Sequence, residues 1–213
     1  MKNKTTIKEE ALINSDLPII TGKKDVRVVI GMPATETMKA KTAHAIGCLA
    51  LHSADKILDF LMIQSCDIAA NRTWLVRQAL EKDATHLLFI DTDMLFPSDA
   101  LDQLLARKKD IVAANYHKRQ FPLQKVAAYF SDTEESETEP FKVGIAGTGF
   151  MLINLDVFRN PNLDPNWFSF GRNAKGEQVI GEDGWFCNTA RAVGYDIWVD
   201  PVIKVLHLGE FGF

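Results

Sequence analysis

Cysteine is scarce in this chain and never clustered. The 213 residues include three cysteines, at positions 48, 66 and 187, and no Cys-x-x-Cys pair. Disulfide frameworks and zinc ribbons need closely spaced cysteines, usually in even numbers. The sequence therefore argues against both kinds of protein and predicts a reducing compartment, the cytoplasm.

Long apolar runs and a surplus of positive charge are also missing. No stretch reaches the roughly 18 to 20 apolar residues of a membrane-spanning helix, and the opening MKNKTTIKEE has no apolar block behind it. We therefore expect neither a transmembrane helix nor a secretory signal peptide. Acidic residues outnumber basic ones by 28 to 24, which argues against nucleic acid as the main partner, because phosphate binding depends on excess Lys and Arg.

What the sequence does contain is typical of one globular domain. Hydrophobic residues make up 46% of the chain and charged residues 24%, which is enough for a sizeable core. Residues 1–25 show no sustained periodicity and are predicted to be an N-terminal tail or lead segment. Residues 26–213 form the predicted domain, and their pattern changes after residue 115.

Apolar strands alternate with amphipathic helices in the first part of that domain. Strands are predicted at 26–32, 57–64, 85–90 and 110–115, and helices at 37–52, 67–81 and 97–106. This alternation is typical of a parallel α/β sheet with right-handed crossovers. Later strands are predicted at 124–130, 141–146, 150–154 and 196–199, with a helix at 182–193. The first two of these form a predicted antiparallel pair around the acidic loop SDTEESETEP, so the expected fold class is α/β, a Rossmann-like mixed sheet flanked by helices in a single domain.

Two aspartates, Asp91 and Asp93, directly follow the apolar strand LLFI. In open α/β sheets, ligands bind beyond the carboxyl ends of the strands. On extended backbone, residues two apart project to the same side, and two carboxylates there repel each other unless a cation lies near. The pattern predicts a Mg²⁺ or Mn²⁺ site that bridges to a diphosphate, with an ordinary strand-end turn as the alternative.

Three later features carry candidate chemistry. Glu182 and Asp183 open an apolar helix, where a carboxylate either stabilises the helix N-terminus or acts as a general base toward a hydroxyl. His207 lies between leucines and is either a packed residue or a metal ligand, for which imidazole favours Mn²⁺. The turn 116–119, with sequence YHKR, offers either cationic contacts to a diphosphate or a solvated basic surface.

In their order, these pieces resemble a GT-A-fold glycosyltransferase of the broad family 2 type over roughly Val26 to Gly209. The motifs that carry the resemblance are GMPATE, NRTWLVRQAL, LLFIDTDMLFP, GTGFMLIN and EDGWFCNTARAVGYDIWVDP, followed by His207. The resemblance implies metal-dependent transfer of a sugar from a nucleoside-diphosphate sugar, with a UDP-sugar favoured, to a sugar or other hydroxyl acceptor. It also implies that residues 26–115 bind the nucleotide and that residues 116–213 complete the acceptor and metal sites.

The resemblance further implies roles for individual residues. Nucleotide contacts are implied for Pro33, Ala34, Thr35, Arg72, Asp91, Thr92, Gly147 and Gly149. Metal ligation is implied for Asp91, Asp93 and His207, with Mn²⁺ favoured over Mg²⁺. Asp183, with Glu182 beside it, matches the acidic residue that acts as base in inverting members.

Three other functions fit part of the pattern. A nucleotidyltransferase acting on a sugar phosphate also joins a nucleotide-binding sheet to metal-binding carboxylates, although GMPATE has one glycine and no basic residue. Aspartate-based phosphatases also use an Asp-x-Asp motif, but on the first strand of their fold. A non-catalytic nucleotide-sugar-binding module would keep the fold and lose the chemistry.

Overall fold

A computed structural model describes residues 26–34 and 37–209. The predicted N-terminal segment 1–25 lies outside the described residues, and so does Thr35 of the predicted nucleotide loop. Within the described ranges, none of the helices is both long and apolar enough to cross a lipid bilayer.

The first elements alternate as predicted. They are β1 (Val28–Ala34), α1 (Ala40–His52), β2 (Ile57–Gln64), α2 (Ile68–Glu81), β3 (His86–Ile90), β4 (Met94–Leu95), α3 (Ala100–Ala106) and β5 (Ile111–Ala114). The later elements are β6 (Phe141–Val143), β7 (Phe150–Asn154), α4 (Asp156–Arg159), β8 (Gly171–Arg172), β9 (Gln178–Ile180), α5 (Glu182–Ala192), β10 (Ile197–Asp200) and β11 (Leu206–His207). Most predicted strands and helices therefore exist close to the expected bounds.

Seven strands form the central sheet, in the order β2-β1-β3-β7-β5-β10-β6. β1 pairs in parallel with β2 and β3, and β5 pairs in parallel with β10. β7 lies between β3 and β5 and runs antiparallel to both, while β6 is antiparallel to β10. The sheet is mixed, as predicted, and both parts of the chain contribute strands to it.

Helices cover both faces of this sheet. In β3, Leu87 and Phe89 belong to the core layer that contains apolar residues of α2 and α5. Their neighbours Leu88 and Ile90 belong to the opposite layer, which contains apolar residues of α1 and α3. All four side chains are fully buried, and their alternation follows from the two-residue period of a strand. Polar chemistry is consequently left to the strand ends.

Two predicted helices begin later than expected. α1 begins at Ala40 rather than residue 37, because Lys39 is extended and donates its backbone N–H to Thr92 O over 2.9 Å. α3 begins at Ala100, because the segment starting at Pro97 forms a turn closed by a 3.1 Å bond from Ala100 N to Pro97 O. α2 begins close to its expected start, since the carboxylate of Asp67 accepts from Ala70 N at 3.0 Å and caps the helix.

The prediction of a strand at 124–130 is wrong. Residues 141–143 form β6, the edge strand of the sheet, which pairs with β10 instead of with the earlier segment. Ala128 keeps one antiparallel bridge, to Ile145, and its carbonyl accepts from both Gly144 N and Ile145 N. An isolated bridge does not make a strand, so this segment is irregular chain.

Candidate active site at the carboxyl edge of the sheet

The turn after β3 and the start of β7 meet at the carboxyl edge of the sheet. Ile90 pairs with Phe150 at the end of the ladder, and Asp91 N donates to Gly149 O over 2.9 Å. A Cβ on Gly149 would lie 2.6 Å from Tyr116 Oη and 2.8 Å from Asp91 Oδ2. Glycine at position 149 therefore leaves the room that these side chains occupy.

The backbone between the two predicted metal-ligating aspartates is not extended. Residues 91–94 form a turn in which Met94 N lies 3.4 Å from Asp91 O. Side chains two residues apart project to the same side only on extended backbone. The prediction that Asp91 and Asp93 share one side therefore does not hold in this turn. Asp91 instead contacts Arg72, and Asp93 contacts Arg119. The two aspartates thus belong to two separate sets of charged groups.

The first set, which we call the buried charge cluster, consists of Arg72, Asp91 and Glu182. Arg72 Nη2 donates to Asp91 Oδ1 at 3.1 Å, and Arg72 Nε lies 3.5 Å from Glu182 Oε1. The Arg72 side chain is only 4% exposed, and its guanidinium carbon lies 5.5 Å from the centre of the Phe89 ring. α2, the turn after β3 and the first turn of α5 are thus joined through one arginine.

Charge neutralisation keeps this arginine ionised despite its burial. Burial alone lowers the pKa of Arg72, but the charges of Asp91 and Glu182 outweigh it and raise the pKa above its usual value. Arg72 Nε and Nη1 are shielded from solvent and make no hydrogen bond with the described residues. The arrangement positions two carboxylates at the site, and direct contact of Arg72 with a nucleotide stays a prediction.

The second set, which we call the open charge cluster, consists of Asp93, Arg119 and His207. Asp93 Oδ2 lies 2.9 Å from Arg119 Nη1 and 3.4 Å from His207 Nε2. β11 pairs with β4, which sets Met94 opposite His207, and Leu208 N donates to Asp93 O over 2.8 Å. This short ladder explains how a histidine near the C-terminus reaches an aspartate that follows the third strand.

The open charge cluster is arranged to keep Asp93 ionised. Burial raises the pKa of Asp93, but the hydrogen bond and charge of His207, together with Arg119, lower it below its ordinary value of 3.8. The Arg119 side chain is 52% exposed, whereas those of Asp93 and His207 are 15% and 18% exposed. The aspartate therefore sits at the floor of the cluster, with a solvent-facing arginine above it.

Tyr116, the first residue of the basic turn 116–119, links the two clusters in a way that was not predicted. Its hydroxyl accepts from Gly149 N at 3.0 Å, and its ring meets the ring of His207 edge to face at 5.7 Å. Burial raises the pKa of Tyr116, and the nearby charge of Asp91 raises it further, so the phenol stays neutral. Its position directly after β5, at the same edge of the sheet, was the available signal.

Other predicted site residues lie around these clusters. Pro33 and Ala34 are buried at the end of β1, where Ala34 O accepts from Ser65 N at 3.2 Å. A Cβ at Gly147 would collide with Tyr116 and Val126. The contacts of Asp183 and Thr92 are local: Asp183 Oδ1 accepts from Gly184 N at 2.7 Å, and Thr92 O accepts from the loop before α1.

The donor set at this edge fits part of a metal coordination sphere. Among the described residues, no three His, Cys, Asp or Glu side chains come close enough together to hold an ion. Asp93 Oδ2 and His207 Nε2, however, are 3.4 Å apart, and adjacent ligands at Mg²⁺-like distances lie about 3 Å apart. Such ions commonly take one or two protein ligands and complete their shell with water and phosphate oxygens.

Two cavities lie near the predicted site. One, of about 360 Å³, borders the open charge cluster and is lined by Lys118, Arg119, Gln120, Phe121, Leu123, His207 and Gly209. The other, of about 560 Å³, lies between α2 and the segment 166–170 and includes Trp74 and Arg77 in its walls. The first is the one that shares residues with a charge cluster, and no acidic side chain lines it.

Comparison with solved structures identifies the fold. The chain superposes on A197 from STIV with a TM-score of 0.60 and 18% identity over 87% of each chain. GalNAc-T7 with UDP, GalNAc and Mn²⁺ gives a TM-score of 0.59 at 10% identity, over 87% of this chain and 43% of that one. UDP-glucose pyrophosphorylase complexed with UDP-glucose gives 0.54 at 10% identity, over 84% and 92%. The chain thus spans less than half the length of GalNAc-T7.

No protein-family model and no curated protein sequence matches the chain. The structural similarities, with the seven-stranded mixed sheet, confirm the predicted α/β fold of GT-A type in a single domain. At these identities the similarity concerns the fold. Structures of this fold include a glycosyltransferase and a nucleotidyltransferase, so the residues of the site, and not the fold, determine the chemistry.

Proposed function

We propose that the chain is a divalent-metal-dependent glycosyltransferase of the family 2 type, which moves a sugar from a nucleoside-diphosphate sugar to a hydroxyl acceptor. The observation that carries this proposal is the 3.4 Å contact between Asp93 Oδ2 and His207 Nε2 at the carboxyl edge of the sheet. These residues come from distant parts of the sequence and form an oxygen and nitrogen pair suited to Mn²⁺. A UDP-sugar is the favoured donor, and residues 26–115 form the nucleotide-binding half.

In this proposal, the diphosphate of the donor lies beside the open charge cluster. A divalent ion held by Asp93 and His207 would neutralise the charge that develops on the departing diphosphate. Asp93 and His207 are suited to this site because both side chains are largely buried, at 15% and 18% exposed, and are therefore held in place. Asp91 is held by Arg72 at 3.1 Å through Oδ1, and its second oxygen lies beside Gly149, another residue proposed to contact the nucleotide.

Asp183 is the proposed general base, and Glu182 is a positioning residue. Glu182 is held by Arg72 at 3.5 Å and is 15% exposed, so it helps to fix the first turn of α5. Asp183 has no cationic partner among the described ion pairs and bonds to Gly184 N at 2.7 Å. In an inverting reaction its carboxylate accepts the acceptor's hydroxyl proton as the new glycosidic bond forms and the sugar–phosphate bond breaks.

The test uses the purified full chain with UDP-, GDP- and CDP-sugars. We expect release of nucleoside diphosphate that requires Mn²⁺ or Mg²⁺ and is lost in Asp93→Asn. Asp132→Asn, which makes the same change in the exposed acidic loop, serves as the matched control and should keep full turnover. Undiminished turnover in EDTA would contradict the metal-dependent part of the proposal.

A second experiment separates the two neighbouring carboxylates. Asp183→Asn should bind donor and metal normally in thermal-shift titrations but fail to transfer the sugar. Glu182→Gln, which loosens the first turn of α5 but leaves the base in place, should reduce transfer only in part and lower the melting temperature. Transfer by Asp183→Asn at the rate of the unmodified chain would remove Asp183 from the role of base.

Nucleotidyl transfer is the second candidate, because the same fold covers 92% of a UDP-glucose pyrophosphorylase. That reaction would release pyrophosphate from UTP in the presence of a sugar 1-phosphate. Pyrophosphate release without turnover of any nucleoside-diphosphate sugar would favour this candidate. Donor binding without turnover of either kind would indicate a non-catalytic binding module.

A further inference from the structure

Arg119 and the proposed metal ion would both bind the same oxygen atom, Asp93 Oδ2. Arg119 Nη1 lies 2.9 Å from Asp93 Oδ2, and this oxygen is the one that faces His207 Nε2 at 3.4 Å. A divalent ion bound between Asp93 and His207 would therefore lie next to the guanidinium. Two cations at that separation repel each other, so the ion pair and the metal site exclude one another.

The surroundings of Arg119 allow it to change partner. Its side chain is half exposed, and it belongs to the loop 117–125. The two ends of that loop are bonded together, with a bridge between His117 and Lys125 and a 2.8 Å bond from Lys118 N to Gln124 O. The backbone of the loop is thus held near the site while the arginine side chain stays in contact with solvent.

The cavity beside Arg119 suits an anion. The cavity has a volume of about 360 Å³, and its lining includes Lys118, Arg119 and His207 and no carboxylate. A planar guanidinium binds phosphate oxygens through paired N–H donors, and the loop is already adjacent to the residues proposed to bind the metal. A diphosphate in this cavity would offer Arg119 the negative charge that it gives up at Asp93.

We propose that Arg119 exchanges Asp93 for the diphosphate of the nucleotide when a divalent ion binds Asp93 and His207. This inference rests on the proposed function, because it assumes that the site binds a divalent ion and a nucleoside diphosphate. Without nucleotide, Arg119 competes with the metal; with nucleotide, it holds the diphosphate. The two ligands therefore bind cooperatively, and each strengthens the other by the same factor.

The experiment measures Mn²⁺ binding to the full chain from the electron paramagnetic resonance signal of free Mn²⁺, with and without UDP. In the unmodified chain, UDP should tighten Mn²⁺ binding by at least about fivefold. Arg119→Gln should bind Mn²⁺ alone more tightly, by up to about fivefold, because an exposed ion pair of modest strength no longer competes. The same variant should lose most of the tightening by UDP.

Lys125→Gln is the matched control. It removes one positive charge from the same loop, and Lys125 bonds to Asn115 O at 3.3 Å rather than lining the cavity. It should retain the cooperativity of the unmodified chain, and melting curves verify that both variants are folded. Identical behaviour of the two variants, or weaker binding of Mn²⁺ alone to Arg119→Gln, would overturn the exchange.

The outcomes also separate this inference from the proposed function. Cooperative binding that depends on Arg119, without sugar transfer from any donor, would support the exchange and contradict glycosyl transfer. Metal-dependent sugar transfer with independent binding of Mn²⁺ and UDP would support glycosyl transfer and contradict the exchange. Absence of Mn²⁺ binding in the presence of UDP would overturn both.

Discussion

The buried and the open charge clusters are built from similar groups and differ mainly in how deeply their arginine is buried. Each contains one arginine paired with an aspartate at about the same distance, 3.1 Å for Arg72 with Asp91 and 2.9 Å for Arg119 with Asp93. The arginine side chains are 4% and 52% exposed, respectively. Burial therefore makes the first pair part of the framework, whereas exposure leaves the second pair able to exchange.

The physical reason lies in what each pair loses when it breaks. An exposed arginine such as Arg119 regains water when its ion pair breaks, so that pair contributes little to stability. A buried charge that loses its partner stays in a poorly solvated environment, which is strongly destabilising. The comparison predicts a graded series of effects on the free energy of unfolding across the two clusters.

The largest effect is expected for Arg72→Ala. The change removes the buried cation that both Asp91 and Glu182 contact, and we expect a loss of about 3 kcal/mol in the free energy of unfolding. Urea denaturation measures it. Arg77→Ala, an exposed arginine on the same helix, should cost less than about 0.5 kcal/mol. Equal losses in the two variants would mean that the buried charge cluster does not hold the fold.

The next effect concerns two glycines, one in each region. Gly149→Ala places a Cβ against the Met94, Tyr116 and Asp91 side chains, and we expect a loss of about 2 kcal/mol because Met94 and Tyr116 are buried and have little room to move. Gly209, which borders the cavity beside the open charge cluster, has nothing within 4 Å of its Cβ position. Gly209→Ala should change stability by less than about 0.5 kcal/mol. Comparable urea midpoints for both variants would show that the two regions are packed alike.

The sequence predicts individual strands better than their order in the sheet. The strand at 57–64 and the strand at 150–154 have the predicted bounds, because their apolar residues and flanking turns are local signals. The insertion of β7 between β3 and β5 has no local signal, since strand order depends on which edges remain unpaired. The missing strand at 124–130 has the same origin, because β10 is the strand that pairs with β6.

The site divides in a similar way. Residues at strand ends, such as Asp91 and Asp93, were predictable because the carboxyl edge of a sheet collects them. The contact between Asp93 and His207 was expected only from the resemblance to a known family. The pairing of Arg72 with Glu182 and of Arg119 with Asp93 depends on side chains meeting across distant elements, and the residue types alone do not specify these partners.

A smaller effect is expected in the pH dependence of stability at the open charge cluster. The pKa of Asp93 is lowered in the folded chain, so its contribution is fully present above the unfolded value near 3.8 and is lost as the pH falls through the folded value. Asp93→Asn should therefore differ from the unmodified chain above pH 4 by no more than about 1 kcal/mol. In urea titrations the difference should shrink toward pH 2, and a gap that widens in acid would contradict it.

The smallest effect is expected for Arg119→Ala. Asp93 keeps His207 at 3.4 Å after the change, and the half-exposed arginine gives up one ion pair that water replaces, so the loss should stay below about 0.5 kcal/mol. A double-mutant cycle with Asp93→Asn, read from urea midpoints, isolates the pair. The corresponding cycle for Arg72 and Asp91 should give a coupling several times larger. Equal coupling energies for the two pairs would mean that burial of the arginine does not distinguish the clusters. A weak coupling between Arg119 and Asp93 is expected, because Arg119 can change partner during binding only if this ion pair breaks at little cost.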